Sequence, residues 1–140
     1  VKFINTNDNF FLKANDRKIV TKLKELTKNE DCFQLFNYHT AYTYLIKKKT
    51  CSKFTHIFNL GPKKHQYDFI DDIKQTNPKF ILYETTPESE TLIDYNDKKS
   101  LFLVYSFVRP SEKFPYINKF ILENYKTLEE FNDWVILHRN

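Results

Sequence analysis

Apolar and polar positions alternate most legibly between Lys64 and Glu84, which reads KHQYDFIDDIKQTNPKFILYE. Tyr67, Phe69, Ile70 and Ile73 fall three and four apart, a spacing that places them on one helical face. Asp68, Asp71, Asp72 and Lys74 take the solvent face. Asn77-Pro78 ends the helix, because proline has no amide hydrogen and also disfavours the helical region for the residue before it. Phe80-Ile81-Leu82-Tyr83 follows as a short apolar run, as expected of a strand covered on both faces. A surface helix followed by a buried strand belongs to an α/β sheet.

The rest of the chain can be read around this unit. Residues 1–14 mix Phe3, Ile4, Phe10, Phe11 and Leu12 with Asn and Asp, and predict an irregular lead-in. Asn15-Asp16 can cap a helix from Arg17 to Lys28, with Ile19, Leu23 and Leu26 as its stripe. Cys32-Phe33-Gln34-Leu35-Phe36 predicts the first strand. Thr40 is placed to cap a helix from Ala41 to Lys49, whose basic end suits a helix C-terminus. Thr55-His56-Ile57-Phe58 reads as a second short strand or an extended segment, and Asn59-Leu60-Gly61-Pro62 as a turn. Residues 85–97 read as a loop, with a short extended piece at Thr91-Leu92-Ile93. Ser100 to Val108 (SLFLVYSFV) fits either a buried strand or a helix, and the reading leans to helix. Pro115 suits the first turn of a helix from Phe114 to Asn124 with Ile117, Phe120, Ile121 and Asn124 inward. Lys126–Phe131 and Trp134–Arg139, separated by Asn132-Asp133, predict a β-hairpin whose second arm is apolar on both faces. The expected fold is α/β: a small, mostly parallel sheet flanked by helices in a Rossmann-like three-layer arrangement, closed by the C-terminal hairpin.

Composition narrows the class. At 140 residues the chain is expected to form a single domain, 1–140, long enough for a real core. Aromatic residues make up 17% of it, which argues against disorder. Glycine occurs once, at Gly61, which excludes a dinucleotide fingerprint and a phosphate-cradling loop, since both need several glycines for close backbone approach. No apolar run approaches the ~20 residues that span a bilayer. The chain opens on Val1, without a methionine or a secretion signal, and is expected to be excised from a larger protein. Lysine and asparagine are abundant, a bias of the kind an A+T-rich genome produces, so their numbers alone carry little functional weight. Cys32 and Cys51 match no zinc spacing. Two buried thiols are the first expectation, and a disulfide, which needs an oxidising compartment, is the second.

Candidate chemistry is sparse. Asp71 and Asp72 are adjacent on a helix and point about 100° apart, so they read as a solvated face rather than a catalytic pair. Glu84 ends a strand, where open α/β sheets bind ligands, and is a candidate ligand residue. His39, His56, His65 and His138 have no metal spacing. His39 lies between a strand end and a helix start, a position open to an anion. No metal, cofactor or catalytic residue is expected. Lys47, Lys48, Lys49, Lys53, Lys63 and Lys64, with Tyr42 and Tyr44 beside them, form the best binding candidate. Against a solvated lysine-rich surface stands a patch for anionic lipid headgroups or a lipid-linked phosphate. The net charge of +4 permits such a partner without demanding it, and nucleic acid is not an expected partner.

The order of these pieces resembles a known arrangement. A strand precedes a tyrosine-bearing helix, then come Cys51-Ser52-Lys53-Phe54, the run from Asp71 to Lys74 and Asn77-Pro78-Lys79-Phe80-Ile81-Leu82-Tyr83-Glu84. Phe114-Pro115-Tyr116-Ile117, Phe120-Ile121-Leu122-Glu123-Asn124-Tyr125-Lys126 and a terminal Trp134-Val135-Ile136-Leu137-His138-Arg139 complete it. This order, over about residues 32–139, resembles the soluble C-terminal domain of GT-C-type membrane glycosyltransferases similar to dolichyl-phosphate-mannose protein mannosyltransferases. Cys51 departs from the pattern, and residues 85–110 match nothing in it. The resemblance implies a non-catalytic accessory domain on the extracytoplasmic (periplasmic or extracellular) face of the cytoplasmic membrane. It would be tethered to a transmembrane part of the same polypeptide and would shape the acceptor and lipid-linked donor side. The family's catalytic acid lies in the membrane part, so no catalytic residue carries over. The alternative is a free-standing α/β binding domain for a nucleotide or other anionic ligand.

Overall fold

The computed structural model describes residues 12–37, 41–55, 57–84, 113–132 and 134–140. The predicted elements at residues 1–11, 91–93 and 100–108, the Thr40 cap, His39 and His56 lie outside these. The described chain runs α1 (Ala14–Leu26), β1 (Cys32–Phe36), α2 (Ala41–Ile46), β2 (Lys49–Thr50), a 3-10 turn (Ile57–Leu60), α3 (Lys63–Thr76), β3 (Phe80–Glu84), α4 (Pro115–Asn124), β4 (Tyr125–Phe131) and β5 (Trp134–Arg139).

The five strands form one sheet in the order β2-β1-β3-β5-β4. β1 pairs in parallel with β2 and β3, while β5 pairs antiparallel with β3 and with β4. The sheet is therefore mixed, and its longer ladders are antiparallel, which corrects the expectation of a mostly parallel sheet. The reason is where the hairpin goes. It closes one edge of the sheet as expected, but its second arm runs antiparallel to β3, with Ile81 opposite Leu137 and Leu82 opposite Ile136. An apolar run reports burial on both faces and says nothing of the direction of the neighbouring strand.

Helices cover both faces, as expected. On one side Ile19, Val20 and Leu23 of α1 and Tyr42 and Ile46 of α2 pack on Phe33, Leu35, Leu82 and Ile136. On the other side Phe69, Ile70 and Ile73 of α3 and Ile117 and Ile121 of α4 pack on Phe36, Ile81, Tyr83, Val135 and Leu137. β5 thus supplies alternate residues to the two cores, which is the period-2 consequence of its apolar pattern.

Local chemistry sets several boundaries. α3 follows an extended Pro62 and ends at Asn77, which adopts the left-handed conformation (φ 54°, ψ 49°) and donates its N–H to the Ile73 carbonyl at 2.8 Å. α4 starts on Pro115, whose missing N–H costs nothing there. The hairpin turns at Asn132, also at positive φ, between the paired Phe131 and Trp134.

Three sequence expectations are corrected. α1 starts at Ala14, so Asn15 and Asp16 lie in its first turn instead of capping it. α2 stops at Ile46 because Lys47 takes a positive φ of 55°. The second strand is Lys49–Thr50, while Ile57 and Phe58 begin the 3-10 turn.

Candidate functional site

The cysteines are joined: Cys32 and Cys51 form a disulfide, with Cα atoms 5.0 Å apart. The expectation of two buried thiols is therefore replaced by the second reading. The bridge lies beside the short β1–β2 pairing and holds the chain there before it turns away along α3. Side chains fix that turn. Buried Gln34 accepts the Ser52 N–H at 3.0 Å and donates to the Leu35 carbonyl at 2.8 Å. The Ser52 hydroxyl and the Lys53 N–H both donate to Asp72 Oδ2, at 2.8 and 3.0 Å. Asp72 thus anchors a loop, while its neighbour Asp71 stays on the exposed face of α3. Adjacent positions on a helix point apart, and these two carboxylates do different work.

The six lysines trace a band from β2 to the start of α3. Lys47, Lys48 and Lys49 line a shallow hollow of about 570 Å³ with Thr43 and Tyr44, the latter 77% exposed. Lys49 and Lys53 share a second hollow beside the disulfide. Lys53 and Lys64 both approach Asp68, at 3.8 and 2.8 Å, and the hydrogen bond from Lys64 holds that carboxyl below the usual carboxylate range. Lys63 lies over the mutually tilted rings of Tyr67 and Tyr116, 5.8 and 5.1 Å from their centroids. The band is not uniformly available. Lys48 donates to the Glu30 carbonyl at 2.7 Å, which ties the end of α2 to the turn after α1. Tyr42, read beside the lysines in the sequence, points instead into the core.

Glu84 is remote from that band. It ends β3, opposite Trp134 of β5, and is only 3% exposed. Around it the first turns of α1 and α2 meet: the Tyr42 hydroxyl donates to Asp16 Oδ1 at 3.0 Å, and the Tyr42 ring stands edge-on to Trp134 with centroids 5.4 Å apart. Burial pushes the Tyr42 hydroxyl far above its ordinary pKa, helped by its bond to Asp16 and by the charges of Asp16 and Glu84. Sequence reading singled out Glu84 but missed its neighbours. Asp16 looked like a cap, Tyr42 like a surface residue and Trp134 like strand filling, and only tertiary packing joins them.

His65 is held by its Nδ1 at 2.7 Å from the Asn59 carbonyl and lies against Phe54. His138 packs on Phe80. Among the described residues no cluster of three or more His, Cys, Asp or Glu could hold a metal ion. No described helix is long and apolar enough to cross a membrane.

These residues define an α/β domain with a mixed five-stranded sheet, helices on both faces and a disulfide near one edge. No family model and no curated protein matches the chain. A solved structure similar to it is the C-terminal globular domain of an oligosaccharyltransferase from Archaeoglobus fulgidus. The TM-score is 0.48 at 14% identity, covering 92% of this chain and 99% of that one. At that identity no residue of the archaeal domain is carried over to this chain.

Proposed function

We propose that this chain is a non-catalytic extracytoplasmic domain of a polytopic glycosyltransferase-like membrane protein, shaping the side on which the acceptor and the lipid-linked donor meet. The observation that carries the compartment is the Cys32–Cys51 disulfide. Such bonds persist in oxidising surroundings and are rare where glutathione and thioredoxin keep thiols reduced. The family reading comes from the ordered resemblance over residues 32–139. The lysine band, with exposed Tyr44 at one end, is the surface we assign to anionic lipid or lipid-linked phosphate, because lysines and tyrosines suit a headgroup layer.

Thiol trapping in the producing cell tests this. Cys32 and Cys51 should resist alkylation until a reductant is added, and the protein should sediment with membranes. Two freely alkylated cysteines in the untreated cell would remove the extracytoplasmic assignment. The reading frame upstream of Val1 tests the tether: several apolar segments of ~20 residues are expected there, and their absence favours the free-standing binding domain.

A further inference from the structure

We infer that the hollow between the first turns of α1 and α2 and the β-hairpin is a binding site for a neutral sugar. It measures about 510 Å³, within the usual range for small-molecule sites. It lies beside the C-terminal end of β3, where Glu84 pairs with Trp134 and where open α/β sheets take their ligands. Trp134, Tyr42 and Leu45 give it an apolar side, while Lys13, Asn15, Asp16 and Asn132 supply polar groups.

The chemistry of that lining selects the ligand. Asn15 and Asn132 carry amides that both donate and accept, Asp16 accepts only, and Lys13 donates only. One oxygen of Asp16 accepts the Tyr42 hydroxyl, and the other has no hydrogen bond among the described residues. The described lining therefore suits a ligand that presents both donors and acceptors around an apolar face, as a pyranose does with its hydroxyls and C–H groups. A strongly anionic ligand meets Asp16, with buried Glu84 close by. A strongly cationic one meets Lys13. A purely apolar one leaves the amides and the carboxylate unpaired, at a cost for each. The Tyr42–Asp16 bond and the edge-on Tyr42–Trp134 packing hold the walls before any ligand arrives, which lowers the entropy lost on binding. The inference stands on this hollow alone and does not depend on the membrane assignment.

Trp134 is the only tryptophan in the chain, so its emission reports the hollow directly. The 140-residue chain is titrated with methyl glycosides of glucose, mannose and N-acetylglucosamine, with glucuronate and choline as charged controls. At least one neutral glycoside should change the emission saturably, with a Kd of about 1 mM. Asp16→Asn, which keeps an acceptor for Tyr42, and Asn15→Ala should each weaken binding about tenfold. Backbone amide NMR shifts follow the same titrations, so that loss of folding is told apart from loss of binding. Silence from all three neutral glycosides, a response confined to glucuronate or choline, or full binding by both folded variants would each overturn the assignment.

Discussion

Tyr42 shows how much a single side chain can hide from its local sequence. In AYTYLI it is indistinguishable from Tyr44, yet Tyr42 is buried and Tyr44 is almost fully exposed. The helical period separates them by two residues, hence by about 200°, but it does not say which of the two faces inward. The hydroxyl of Tyr42 is kept neutral first by burial, then by its bond to Asp16 and the charges of Asp16 and Glu84. Its pKa is therefore raised on folding above the ordinary value of about 10. Below pH 10 both folded and unfolded chains hold the proton, and the contribution is constant. Above it the unfolded chain releases the proton while the folded chain keeps it, so stability falls as pH rises. The slope from this one group approaches about 1.4 kcal/mol per pH unit. Urea midpoints of the wild type and Tyr42→Phe between pH 8 and 11 isolate it. The wild type should lose stability more steeply than the variant above pH 10, and parallel curves would show that Tyr42 ionises freely in the folded chain.

At the scale of elements, boundaries set by local chemistry were readable and those set by distant partners were not. The α3–β3 unit, β1, α4 and the hairpin emerge from spacing, Asn-Pro, Pro115 and Asn132-Asp133, all of which act within a few residues. The site of β2 does not, because it depends on Cys51 reaching Cys32, and no turn residue in the sequence marks the left-handed Lys47 that ends α2. Strand direction was lost for the same reason, since β5 finds its place beside β3 only in three dimensions. Asn77 tests the local class. It sits in the left-handed region, which glycine adopts for want of a Cβ, asparagine tolerates through its short polar side chain, and alanine disfavours. Asn77→Ala should cost about 1 kcal/mol in urea unfolding, and Asn77→Gly should cost less. Equal losses would mean that Asn77 acts through its amide instead. The disulfide tests the distant class. It closes a loop with a sequence separation of 19, for which chain entropy predicts about 3 kcal/mol. Cys32→Ser/Cys51→Ser should lose roughly that amount while still unfolding cooperatively, because Gln34, Ser52 and Asp72 continue to hold the loop. An unfolded double variant would show that those hydrogen bonds follow the bridge and do not share its work.

Across the whole molecule, the lysine band and the hollow beside Glu84 lie at different places, and they differ in how far the sequence displays them. Lysines announce themselves by charge, so the band from Lys47 to Lys64 was visible, although Lys48 turns out to be engaged with the backbone. The hollow beside Glu84 is assembled from α1, α2 and the hairpin, and no window of the sequence contains it. If the band faces lipid, the chain should bind vesicles containing anionic lipid and release them as salt rises, each lysine near the surface contributing about 1 kcal/mol. Equal binding to neutral vesicles would remove the electrostatic basis of that assignment. The final expectation is that the domain transfers no sugar by itself. Transfer from a lipid-linked donor needs a base within hydrogen-bond reach of the acceptor and groups that stabilise the departing phosphate. Two carboxylates beside the lysine band are engaged there: Asp72 anchors the Ser52–Lys53 loop and Asp68 pairs with Lys64 and Lys53. Glu84 is nearly inaccessible and lies apart from the lysine band that would hold a phosphate. Glu84, the acidic site residue read from the sequence, is thus not brought to the lysine band. The purified chain, incubated with a radiolabelled polyprenyl-phosphate sugar and a peptide acceptor, should yield no labelled product. Transfer above background that disappears in Glu84→Gln would place a catalytic centre in this domain and end the accessory reading.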